Sequence, residues 1–323
     1  MRRHTLLAAG MALLLLAQSV AAEAQTYPNR PIRQIVPFAS GSAADALARV
    51  TGDKLAQILG QPVIIDSRPG ANSILGADAA AKAPADGYTF VQLNDAAAAL
   101  NTALYPKLPY NTQRDFAPLT RAGRIAMVVV VNPAVPATSI EEFLVWARAK
   151  GPEVNFGSGG VGSAQHVLME MLMHATGLRL THVPYRGVTP AMQDVIAGHI
   201  PVVIVGLAGS LAPINAGLLR ALAVTGPNRA GELPNVPTLA EKGIAGFPAE
   251  PWSGFWAPAA TPAPILARLA GGLVEALNDP GVREKLKPVL EIQTSTPDEL
   301  RGMVERDTAR YDKLVRDVGM KVD

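Results

Sequence analysis

The sequence predicts an α/β protein of two similar lobes, and three observations carry that expectation. Short β-branched runs alternate with segments of helical period, the signature of βαβ units and a largely parallel sheet. A strand that runs into a Gly/Ser loop and then a helix occurs once in each half of the chain. The 323 residues also suggest two domains, because single cores stop growing at roughly 250–300 residues.

The N-terminus comes first. Arg2 and Arg3 precede an apolar run from Leu6 to Ala17, and Ala22-Glu23-Ala24 is a small-x-small site before Gln25. That is the pattern of a secretory signal peptide over residues 1–24, cleaved after Ala24. The apolar run is short of the roughly 20 residues that span a bilayer. The expected mature chain is therefore exported. It contains no Cys, which excludes a lipid anchor there and leaves core burial as the source of stability. Net charge is +2 and charged residues are 17% of the chain. No Lys/Arg run offers an electrostatic footprint for nucleic acid.

Along the mature chain, Ile32 to Phe38 reads as a strand and Ala43 to Leu59 as a helix closed by Gly60. Pro62 to Asp66 and Tyr88 to Leu93 follow as strands, with helices over Ile74 to Ala83 and Ala96 to Leu104. Met127 to Val131 reads as a buried strand. Ser139-Ile140-Glu141-Glu142 is a capping box that opens a helix to Lys150, stopped by Gly151-Pro152. The second set has strands at Val154 to Phe156, Leu180 to Pro184, Val202 to Val205 and Leu219 to Thr225. Its helices run from Ser163 to Ala175 and from Thr189-Pro190 to Gly198. Thr296-Pro297-Asp298-Glu299 opens the last helix with a capping box and Pro at the first helical position.

The two loops carry the functional signal. One is Phe38-Ala39-Ser40-Gly41-Ser42 and the other Gly157-Ser158-Gly159-Gly160-Val161-Gly162-Ser163. Gly admits close backbone approach, Ser adds hydroxyls, and the following helix start offers unpaired N–H groups suited to an anion. Two such starts would close on an anion like jaws.

Other chemistries fit less well. Gly157 to Gly162 matches G-x-G-x-x-G, but the acidic residue expected about 20 positions on is missing. No nucleophile elbow surrounds Ser158, and no Walker motif or H-E-x-x-H is present. His166, His174, His182 and His199 read as too scattered for a metal site, so no metal and no cofactor are expected. His166 either faces the cleft or is a polar residue at a helix start. Asp45 either caps its own helix or stands at the cleft. Trp252 and Trp256 are expected to be buried near an interdomain crossing.

Many short motifs, in order, resemble one family. They include Tyr27-Pro28, Ile35-Val36-Pro37-Phe38, Arg68-Pro69-Gly70-Ala71, Ala83-Pro84-Ala85-Asp86-Gly87-Tyr88-Thr89 and Arg114-Asp115-Phe116-Ala117-Pro118. His182-Val183-Pro184-Tyr185-Arg186-Gly187, Leu233-Pro234-Asn235-Val236-Pro237-Thr238 and Trp252-Ser253-Gly254 follow. The chain resembles the tripartite tricarboxylate transporter receptors, also called the Bug family of periplasmic solute-binding proteins.

The resemblance implies a type II periplasmic-binding-protein fold, two α/β lobes joined by a two-crossover hinge near Gly123 and Pro251. The first lobe would comprise residues 25–123 and 251–323, the second residues 124–250. It implies a periplasmic, monomeric receptor, not an enzyme, that captures a small carboxylate and delivers it to the membrane subunits of a tripartite transporter. A periplasmic sensor is the alternative, and an enzyme acting on a carboxylate, with Ser163 and His166 as nearest candidates, a further one. Di- and tricarboxylates, amino acids and aromatic acids all remain open as ligands. Carried over position by position, first-lobe contacts would be Phe38, Ala39, Ser40, Ser42, Asp45 and Asn94. Those of the second lobe would be Ser158, Gly162, Ser163, His166, Tyr185, Arg186 and Gly206. Ser42 stands where the family commonly has Gly, Ala44 where it often has a hydroxyl, and Pro201 where it often has an acid.

Overall fold

A computed structural model describes residues 27–244 and 250–319, so the expected signal peptide and its cleavage site lie outside the described residues. The strands are β1 Ile32–Val36, β2 Val63–Ser67, β3 Thr89–Asn94, β4 Phe116–Arg124, β5 Met127–Val131 and β6 Asn155–Ser158. They continue with β7 Thr181–Pro184, β8 Val202–Gly206, β9 Arg220–Val224, β10 Trp252–Pro258 and β11 Glu291–Ile292. The α-helices of the first half are α1 Ala43–Leu59, α2 Ile74–Ala81, α3 Asn101–Leu104, α4 Thr112–Asp115, α5 Ile140–Lys150 and α6 Ala164–Thr176. Those of the second half are α7 Val188–Ile196, α8 Leu207–Asn215, α9 Ala263–Asn278, α10 Pro280–Leu286 and α11 Pro297–Val318.

Two sheets result. The first has the order β2-β1-β3-β10-β4-β11 and the second β7-β6-β8-β5-β9. In the first, β1 runs parallel to β2 and β3, and β10 lies antiparallel between β3 and β4. In the second, β6 runs parallel to β7 and β8, and β5 lies antiparallel between β8 and β9. The orders correspond position by position apart from β11. The antiparallel insert is in each case the strand that follows a passage between sheets: Arg124 to Met127 outward, Val224 to Trp252 on return.

Local chemistry explains the elements. All five residues of β5 are buried, as a continuous apolar run in mid-sheet requires. Helix α11 opens with Thr296 and Glu299 in a reciprocal capping box. At α5, Ser139 accepts from the Glu142 amide as expected. The Glu142 carboxylate, however, accepts from the amide and hydroxyl of Thr138 at 2.6 and 2.7 Å. The expected single helix from Ala96 to Leu104 is a π-helical turn over Ala96–Leu100 followed by α3.

Strands β4 and β10, unanticipated in the sequence, sit in the middle of the first sheet. Trp252 and Trp256 are indeed buried, as members of β10, whose seven residues are all buried. The core of the second lobe does not stop at its own elements. One buried cluster joins Val129, Phe156, Val167 and Leu168 to Ala96, Leu100, Leu104, Tyr311 and Leu314.

Candidate functional site

Both Gly/Ser loops lie at the carboxyl ends of parallel strands, where open α/β sheets place ligands. Phe38 to Ser42 leaves β1 and enters α1, while Asn94 ends β3. Ser158 ends β6, the Gly159–Ser163 loop enters α6, and Gly206 ends β8. The second loop reaches the first lobe. A Cβ built on Gly162 would lie 3.2 Å from the Asn72 side-chain nitrogen and 3.4 Å from Leu104 of the first lobe.

In the first loop, Ser42 caps α1 by accepting from the Asp45 amide at 3.2 Å. Asp45 is buried and accepts from the Gly41 amide and from Arg49, each at 2.9 Å. The Arg49 hydrogen bond, aided by the Gly41 amide, holds its carboxyl below the usual range against burial. Asp45 thus ties the loop to its helix through the Gly41 amide and Arg49. The first-turn amides of Ala43 and Ala44 have no partner in the described chain. Phe38 is half-buried, and Ala39 and Ser40 are exposed. The Asn94 side chain accepts from the Ala97 amide at 2.9 Å.

The second loop is wired from beneath. Ser158 is fully buried, and its hydroxyl lies 2.6 Å from His182 Nε2 and accepts from the Gly160 amide at 3.0 Å. The Gly162 amide donates to His166 Nδ1 at 3.1 Å, which places the His166 ring proton on Nε2, 3.5 Å from Glu170. Ser163 caps α6 by accepting from the His166 amide at 3.4 Å. Its partner is thus the backbone of His166, not the imidazole. As in the first lobe, two first-turn amides, those of Ala164 and Gln165, are left without a partner among the described residues.

His182 is the residue the sequence reading missed. His166 and His182 stack with ring centroids 4.0 Å apart, and Phe156 stacks on His182 at 4.9 Å. Sixteen positions apart in sequence, they read as scattered; α6 packs on β6, which pairs with β7, and this brings them together. Burial, with the nearby His166, pushes His182 down to about 4, so it is neutral; the Ser158 hydroxyl that it meets also lies 3.1 Å from the Gly160 carbonyl, to which it donates. Tyr185 donates to Asp194 at 2.6 Å. Arg186 is exposed and has no ion-pair partner among the described residues. Gly206 is half-buried at the start of α8, its carbonyl accepting from Ser210 at 3.1 Å.

Residues 47–320 match the model of the tripartite tricarboxylate transporter family receptor. The chain belongs to this family. It is similar to BugT of Bordetella pertussis, 36% identical over 93% of this chain and 92% of BugT. Among solved structures, a Rhodopseudomonas palustris protein with adipate is 31% identical, with a TM-score of 0.81 over 91% of this chain and 99% of that one. MatC of the same organism, with bound malate, is 27% identical, with a TM-score of 0.77 over 90% of this chain and 100% of MatC. Receptors of this family are solute-binding proteins, and the fold is that of a two-lobed α/β periplasmic binding protein.

Proposed function

We propose that this protein is a periplasmic receptor that captures a small dicarboxylate between its lobes and passes it to the membrane subunits of a tripartite transporter. The observation that carries the reading is the pair of helix starts, one in each lobe at the carboxyl end of a parallel strand, each with two unpartnered amides. One carboxylate would sit at Ala43 and Ala44 of α1, bordered by Phe38, Ala39, Ser40, Ser42 and Asn94. The other would sit at Ala164 and Gln165 of α6, near Gly162, Ser163 and Gly206. Helix starts suit anions because their amides and dipole both favour negative charge.

The supporting residues act at different depths. Arg186 at the rim is a free cation that would steer an acid inward. Ser158, His166 and Tyr185 act from behind by fixing the loop, while Asp45 keeps a negative charge beside the first helix start. That charge favours a ligand that also carries a hydroxyl or amine over a bare diacid. Adipate and malate in the relatives are both dicarboxylates, and malate also carries a hydroxyl.

The test is a thermal-shift screen of the chain from Gln25 onward against mono-, di-, tricarboxylic and aromatic acids. A ligand at 100 times its Kd adds about 2.7 kcal/mol to stability. Dicarboxylates are expected to raise the midpoint most and to be recovered unchanged. A panel without any shift would sink the proposal.

A further inference from the structure

Asp95, the residue after β3, lies at the lobe boundary with 5% of its surface exposed. One carboxylate oxygen accepts from the Tyr311 hydroxyl at 2.8 Å, and the other is buried without a partner. A cavity of about 10 Å³ is bordered by Asp95, Ala96, Leu100 and Tyr311 on one side and by Val167 and Leu168 of the second lobe on the other. The wall that the second lobe contributes is apolar.

Among the described residues no cation pairs with Asp95 directly. Arg310 pairs with Asp307 at 3.0 Å, and Asp307 also accepts from the Trp252 indole at 2.7 Å. On α6 the ionisable residues His166 and Glu170 pair with each other. A carboxylate in this setting loses its water and gains only neutral donors, the Tyr311 hydroxyl and the Ala96 amide, which is costly for the charged form. Burial above all, with repulsion from Asp307, pushes Asp95 up to about 6 against the Tyr311 hydrogen bond and Arg310.

We propose that Asp95 takes up a proton as the lobes close, so that ligand capture is coupled to proton binding. When α6 lifts from the Ala96–Leu104 segment, water reaches the carboxylate and it ionises. When α6 seats again, a proton from solvent returns to it. This inference rests on the receptor reading and adds a pH dependence to it.

The experiment is titration calorimetry with adipate and with malate at pH 5.5 and pH 7.5, in pairs of buffers of different ionisation enthalpy, on the wild type and Asp95→Asn. From an ordinary carboxyl value when α6 is lifted and about 6 when it is seated as in the described structure, uptake of about 0.7 proton is expected at pH 5.5 and nearly none at pH 7.5. Kd is then about fourfold lower at the acid pH. The ligand's own protons contribute equally to both proteins, so the wild type minus Asp95→Asn difference isolates this group. Tyr311→Phe removes the donor that favours the charged form and is expected to move the uptake curve to higher pH. Binding with the same proton uptake in wild type and Asp95→Asn would overturn the proposal alone. Failure of every acid to bind would remove the receptor reading and this proposal with it.

Discussion

At the scale of single residues, the second loop depends on neutral imidazoles. His166 Nδ1 accepts the Gly162 amide, a bond that a proton on that nitrogen would abolish. His182 is lowered to about 4 from the usual 6.5 by burial and by His166. The folded state binds this proton less well than the unfolded chain. His182 therefore leaves stability intact above about pH 6.5 and removes it as pH falls towards 4. Asp95 acts with opposite sign, since its raised value favours the folded state below about 4 and loses that advantage as pH rises through about 6. Thermal midpoints of wild type and His182→Gln, measured from pH 7.5 to 4.5, separate the two. The wild-type advantage is expected to shrink steadily with acid. A constant difference across that range would mean that His182 titrates normally.

At the scale of elements, caps separate stability from binding. Thr296 and Ser163 both cap helices through their side-chain oxygens, and replacing such a residue by Ala costs about 1 kcal/mol. Thr296 lies at the start of α11, away from the strand ends that carry the two loops, whereas Ser163 closes the loop that leads to Ala164 and Gln165. Both Thr296→Ala and Ser163→Ala are expected to lower the urea midpoint by a similar amount. Only Ser163→Ala is expected to raise Kd for the best acid of the screen. Equal loss of affinity in both variants would mean that the α6 start takes no part in binding.

The same elements show what was legible in the sequence. Helices with a clear cap, period and stop, such as α1 and α5, emerge with the bounds their residues suggest, because local chemistry decides them. The two Gly/Ser loops were equally readable, since their glycines answer to a local need: Gly162 has φ +75 and faces Asn72. Strand β4 contains Pro118 and Gly123 and draws its order from pairing with β10, more than 120 positions away in the chain; no window on the sequence contains that partner. Helix α8 carries an internal Pro213, which hides its period. The His166–His182 stack and the Asp95–Tyr311 contact are tertiary in the same way, and nothing local to those residues announces them.

At the scale of the whole molecule, the two lobes repeat one strand order but do not own separate cores. The cluster that contains Phe156 and Val129 of the second lobe also contains Leu100 and Leu104 after β3, and Tyr311 and Leu314 on α11. Helix α11 thus packs on both lobes: it meets β4 of the first, and its His174–Asp317 pair at 3.6 Å reaches α6 of the second. Lobes connected by crossovers alone would unfold independently, as domains with small interfaces do. Lobes fused through a shared apolar cluster lose it together, so their unfolding is expected to be one transition. Calorimetry of the ligand-free chain should give a calorimetric enthalpy close to the van't Hoff value. Leu314→Ala, which leaves a cavity at the fused core, is expected to cost about 2–5 kcal/mol and to loosen the coupling between lobes. A wild-type endotherm already split in two would show that the cluster does not join the lobes.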